Sequence, residues 1–168
     1  MIGFTLAIMV VGALVAAYAD ARTRRIPNLL TGALAAIAIA AHATGGPVEL
    51  ASAAGVMLAA FLLGTVAFSL GWFGGGDVKL LAACCGLAGY PGAISLVLFT
   101  LVAGGFVSIV EAARRGKLRA VVASTVSLSR TGIAPAERIA APYGIAIAAG
   151  ACAYALSLSV LPFLRLPL

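Results

Sequence analysis

Apolar residues fill this chain in six runs, separated by short breaks of glycine, proline and charge. The breaks fall at the arginine cluster 22–25, at Thr44-Gly45-Gly46-Pro47, at Gly74-Gly75-Gly76, at Gly89-Tyr90-Pro91-Gly92 and across 114–138. An apolar helix needs about 20 residues to cross a bilayer, and most of these runs approach that length. The pattern predicts an all-α, polytopic membrane protein with helices at about 2–19, 28–43, 50–72, 77–89, 93–113 and 139–161. The fourth run is short: the 12 residues from Val78 to Gly89 give about 18 Å of helix against a hydrocarbon core of about 30 Å. A helix that short is expected beside a recessed, partly hydrated pocket next to Asp77, because irregular backbone at membrane depth survives where protein or a wet cavity surrounds it. Trp72, just before it, suits the membrane interface.

The first run ends in Ala17-Tyr18-Ala19, which imitates a cleavage site for a secretory signal. No Lys or Arg precedes Arg22, so the basic segment of such a signal is missing and the run is expected to persist as the first span. Positive residues favour cytoplasmic loops. Under a six-span alternation Arg22, Arg24, Arg25, Lys79 and the six basic residues between Arg114 and Arg138 share one side, leaving Arg165 on the other. Both termini are therefore expected on the non-cytoplasmic side.

Composition sharpens this reading. Of 168 residues, 63% are hydrophobic and 10% charged, where a soluble domain carries roughly 25% charge. The whole chain, 1–168, is expected to form one membrane-embedded domain. A net charge of +6 raises the question of nucleic acid, but no basic groove interleaved with aromatics accompanies it, and no nucleic-acid partner is expected. The charge concentrates instead in the 114–138 stretch, read as a cytoplasmic basic loop. There Leu118, Val121, Val122, Val126 and Leu128 can form one face of an interfacial helix on anionic lipid. Cys84, Cys85 and Cys152 lie in apolar runs without metal-ligand spacing, so they are read as small packing residues, with no metal and no cofactor expected.

Acids bordering membrane spans are costly and are functional candidates. Glu49, Glu111 and Glu137 fall where solvent or arginine is at hand. Asp20 and Asp77 differ: 57 positions apart, they border spans on the same predicted face of the membrane and can meet. One ionised carboxylate can draw a proton from water while its protonated partner polarises a peptide carbonyl. Like charges in contact resist double ionisation, so such a pair shares a proton. The plainer readings are a counter-ion to Arg22, Arg24 or Arg25 for Asp20, and a residue favoured by the helix dipole for Asp77. By helix polarity alone, Asp20 at the end of its helix is expected to hold the proton. Gly74, Gly75 and Gly76 are expected to permit unusual backbone angles and the approach of an extended peptide. Lys79, two positions from Asp77, is expected to point away from it as a cytoplasmic anchor.

Asp20-Ala21-Arg22-Thr23-Arg24-Arg25-Ile26-Pro27-Asn28, then Gly74-Gly75-Gly76-Asp77-Val78-Lys79-Leu80, then Pro142-Tyr143-Gly144-Ile145-Ala146 together resemble the three successive signatures of type IV prepilin peptidases, in order and over nearly the whole chain. The resemblance implies an intramembrane aspartic endopeptidase of the bacterial inner membrane. Such an enzyme clips short basic leaders from prepilin or pseudopilin precursors on the cytoplasmic side, and its catalytic aspartates fall on Asp20 and Asp77. Asn28, Gly74 to Gly76, Pro142, Tyr143 and Gly144 become candidates for binding substrate or shaping the site. Longer members carry a cysteine-containing cytoplasmic domain and also methylate the new N-terminus. This sequence has no Cys-x-x-Cys pair and resembles the short, peptidase-only form found with tight-adherence (Flp) pili, so methylation is not expected.

Two other classes fit parts of the pattern. A small transporter or channel would use Asp20 and Asp77 to bind protons or a cation, but it calls for ionisable groups at several membrane depths, and none lies mid-span. A structural membrane subunit would tolerate loss of either aspartate.

Overall fold

A computed structural model describes residues 2–114, 116 and 143–160. Among them are six helices and no strand: α1 (Ile2–Thr23), α2 (Asn28–Ala43), α3 (Pro47–Ser69), α4 (Gly75–Ala88), α5 (Gly92–Arg114) and α6 (Tyr143–Val160). Most of the 114–138 loop, Pro142 and the C-terminal residues after 160 lie outside this set, as does the interfacial helix expected in that loop.

Local chemistry sets the helix ends. α1 runs one turn further than its apolar pattern suggests and stops at Arg24, whose φ of 54° is left-handed and cannot propagate a right-handed helix. Thr23 closes the last turn by donating its hydroxyl to the Ala19 carbonyl at 2.8 Å. Pro27, extended at φ −62° and ψ 130°, caps α2 where its missing N–H costs nothing. Gly46 at φ 104° turns the chain into Pro47, the first residue of α3, and Gly89 at φ 64° ends α4.

α1, α3 and α5, with 22, 23 and 23 residues, are long and apolar enough to cross a membrane; α2 and α6 are shorter apolar helices. Large apolar side chains on α1, α3 and α5, among them Val11, Leu63, Val66, Val102 and Phe106, face outward, a surface that suits lipid. In α3 a single residue, Ala53, is buried.

α4 is the opposite. Its 14 residues make about 21 Å of helix, too short to span alone, and it packs against each of the other five helices. The run Ala82-Ala83-Cys84-Cys85-Gly86 is buried throughout, and small side chains let neighbouring backbones close in without the hydrophobic effect that lipid withholds. Cys84 and Cys85 are free thiols in this packing, as the sequence suggests. The core around them is built from Met9, Ala13, Leu34, Leu80, Leu96, Ile147 and Ala151. At the crossing of α5 and α6, a Cβ on Gly150 would lie 2.7 Å from the backbone of Thr100, so glycine permits that approach.

Candidate active site

Asp20 lies in the last turn of α1 and is 8% exposed. The backbone N–H of Gly144 donates to its Oδ2 at 3.2 Å. Gly144 is the second residue of α6, where backbone donors have no partner within the helix, so the Asp20 carboxylate closes the N-terminus of a helix distant in sequence. The positive N-terminal end of α6 thus faces this carboxylate, a contact that the C-terminal polarity of Asp20's own helix does not reveal. The fit depends on glycine. A Cβ at position 144 would stand 3.0 Å from Asp20 Cβ and 3.4 Å from the Ala17 Cα.

Asp77 occupies the third position of α4 and accepts the Gly74 N–H on Oδ2 at 3.2 Å. This is the carboxylate half of a capping box; glycine has no side chain with which to supply the other half. The glycines differ from expectation. Gly75 and Gly76 are helical, and Gly74 is extended at φ −78°, a conformation open to any residue, so unusual backbone angles are not their purpose. Close approach to a distant segment of the chain is seen at one of them: a Cβ on Gly76 would meet Ile26 Cβ at 3.2 Å. Its absent side chain lets the start of α4 press against the α1–α2 connection, next to the cavity that both acids line.

This cavity, of about 300 Å³, is lined by Asp20, Arg24, Arg25, Ile26, Asn28, Gly74, Gly75, Gly76 and Asp77. Asp20 lies close enough to act electrostatically on Asp77. Arg22 holds its guanidinium 4.9 Å from the centroid of the Tyr18 ring, whereas Arg24 and Arg25 border the cavity. Tyr143 packs edge-on against Phe73 with centroids 4.6 Å apart and lies over Gly104, holding the start of α6 against the loop before α4. Candidate residue Pro142 is outside the described residues.

Lys79 is exposed, and its Nζ donates to Asn28 Oδ1 at 2.9 Å, tying α4 to the start of α2. Arg24 and Arg25, weighed as counter-ions to Asp20, line the cavity while remaining exposed. Ile26 and Phe73 also help to build the site, and adjacency was an available signal for both: Ile26 lies within the first motif and Phe73 directly precedes Gly74.

An all-helical membrane bundle that gathers two carboxylates from different helices at a glycine-lined cavity defines the class of the protein. The chain belongs to the type IV leader peptidase family, whose model matches residues 7–109. That match bears out the resemblance carried by the first two motifs, and membership makes the protein a membrane-embedded peptidase. It takes in Asp20, Asp77 and the whole cavity lining, and ends inside α5, before Tyr143 and Gly144. No curated protein and no solved structure matches the chain significantly.

Proposed function

We propose that the protein is an aspartic endopeptidase that removes the short basic leader from a prepilin or pseudopilin precursor at the cytoplasmic face of the bacterial inner membrane, with Asp20 and Asp77 as its catalytic pair. The observation that carries this reading is the meeting of the two carboxylates at one cavity in a member of a leader peptidase family. In the proposed reaction one ionised carboxylate takes a proton from water as the oxygen attacks the scissile carbonyl carbon. The other, protonated, donates to the carbonyl oxygen, and a proton returned through the pair releases the leaving amine.

The same proposal treats 1–168 as one peptidase domain whose six helices all cross or enter the membrane, both termini non-cytoplasmic and the 114–138 loop on the cytoplasmic leaflet. It is supported by the shared side of Arg22, Arg24, Arg25 and Lys79 in the sequence alternation.

The test is cleavage of a purified precursor by D20N and D77N in vesicles. Each substitution keeps the shape of the side chain and removes its acid–base function, so cleavage should fall by at least about 10³-fold with insertion unaltered. Wild-type rates in either variant would overturn the dyad. Zinc chelators and serine- or cysteine-directed inhibitors should leave the wild type active; loss on chelation would point to metal chemistry instead.

A further inference from the structure

A second cavity, of about 460 Å³, opens between α2, α3 and α4. Its walls are Gly32 on α2, Met57, Leu58 and Phe61 on α3, and Ala82 and Ala83 on α4. Polar side chains enter its lining at one end, where Asn28 and Lys79 meet through their 2.9 Å hydrogen bond, with Thr31 a turn further along α2. Asn28 also lines the cavity that holds Asp20 and Asp77. The two spaces thus adjoin across one side chain, polar toward the acids and apolar beyond. Leu58 and Phe61 are 58% and 41% exposed, and α3 buries almost none of its length, so the apolar end opens sideways toward lipid.

We propose that this groove seats an apolar stretch of the precursor next to the scissile bond, with Asn28 and Lys79 marking where the polypeptide leaves hydrocarbon for the acid pair. The inference rests on the peptidase reading above. Continuity with the acid cavity selects the substrate as occupant over an unrelated partner. A cut peptide must reach the carboxylates from one side or the other, and on this side the next surface it meets is apolar and accessible from within the bilayer. A polypeptide already inserted in the membrane reaches such a groove laterally, without carrying its apolar residues through water. The bond is then positioned by binding energy gained away from the reacting atoms. A lipid chain is the competing occupant.

Gly32 provides the probe. It is exposed in the groove wall, and a Cβ there meets nothing within 4 Å, so a side chain can start from this position without an immediate clash, and Gly32→Phe is chosen to fill the groove. The assay uses purified enzyme in phosphatidylethanolamine–phosphatidylglycerol vesicles and a model precursor with a basic leader ahead of one apolar segment. Gly32→Phe should raise KM about tenfold and hold kcat within about twofold, the signature of lost binding rather than lost chemistry. Gly105→Phe, at an equally open position on α5, should match the wild type. In a D77N background, a photoreactive benzoylphenylalanine in place of Phe61 should crosslink to the apolar segment of the uncut precursor. Crosslinks to lipid alone, an unchanged KM, or a fall confined to kcat would each overturn the groove assignment while the wild type still cuts. A wild type that leaves the precursor whole would instead bring down the peptidase reading, and this inference with it.

Discussion

Asp20 accepts a hydrogen bond from the backbone of Gly144, 124 positions away in the chain, at 3.2 Å. The C-terminal end of α1 and the N-terminal end of α6 thereby meet at the carboxylate, and the contact is close because residue 144 has no side chain. Gly144→Ala is expected to push Asp20 from its place. The added methyl faces a short, stiff aspartate and the Ala17 backbone, neither of which yields easily. A displacement of even about 1 Å can cost about 10²-fold in rate, so kcat should fall by that order with membrane insertion intact. Unchanged kcat would show that Gly144 does not set the position of Asp20.

Asn28 and Lys79 act through one hydrogen bond, so Asn28→Ala and Lys79→Met should lower kcat/KM by similar factors. Both side chains are exposed, and a modest loss of about three- to tenfold fits a hydrogen bond partly replaced by water. The double variant should be no worse than either single one. Additive losses in the double-mutant cycle would show that the two residues serve the reaction separately.

Stability, rather than chemistry, is at stake in Gly150. A methyl at this position would lie 2.7 Å from the Thr100 backbone, forcing α5 and α6 apart, and overpacking of this kind costs about 1–3 kcal/mol. Gly150→Ala should lower the unfolding midpoint in detergent and leave kcat per folded molecule close to wild type. A wild-type midpoint would mean that the two helices part without penalty.

Topology is open to labelling in a background without native cysteines. Cysteines near Arg24 or Arg119 should react from the cytoplasm, and those near Gly46 or Leu168 from the other side. Reaction of both sets from one side would overturn the six-span arrangement.

Much of the helical layout was legible because it rests on apolar runs and their punctuation. α2 was read at its observed limits, and α3, α5 and α6 within a few residues, since Pro47, Gly92 and the charged stretches mark their boundaries. α1 ran past its apolar pattern because the stop is a backbone conformation at Arg24, which no residue type announces. Asp20 and Asp77 were legible as acids able to meet, and both line one cavity. The roles of their surroundings were less so: the glycines before Asp77 suggested backbone freedom and room for a peptide, whereas at Gly76 the neighbour that a side chain would crowd is Ile26, from another part of the chain. The partner of Lys79 went unread for a related reason. Spacing along its own helix says where a side chain stands relative to Asp77, but not that Asn28 waits on the helix alongside. Tertiary contacts between distant segments decide both cases.

The enclosure of α4 by the other five helices bears on how the protein is made. A helix of 14 residues that opens Gly-Gly-Asp-Val-Lys is a weak passenger for insertion on its own, and it leaves the ribosome before two of the helices that will surround it. Asp20 emerges earlier still, long before the α6 backbone that receives it. The nascent chain therefore carries both acids before the α6 backbone that completes the setting of Asp20 has been made.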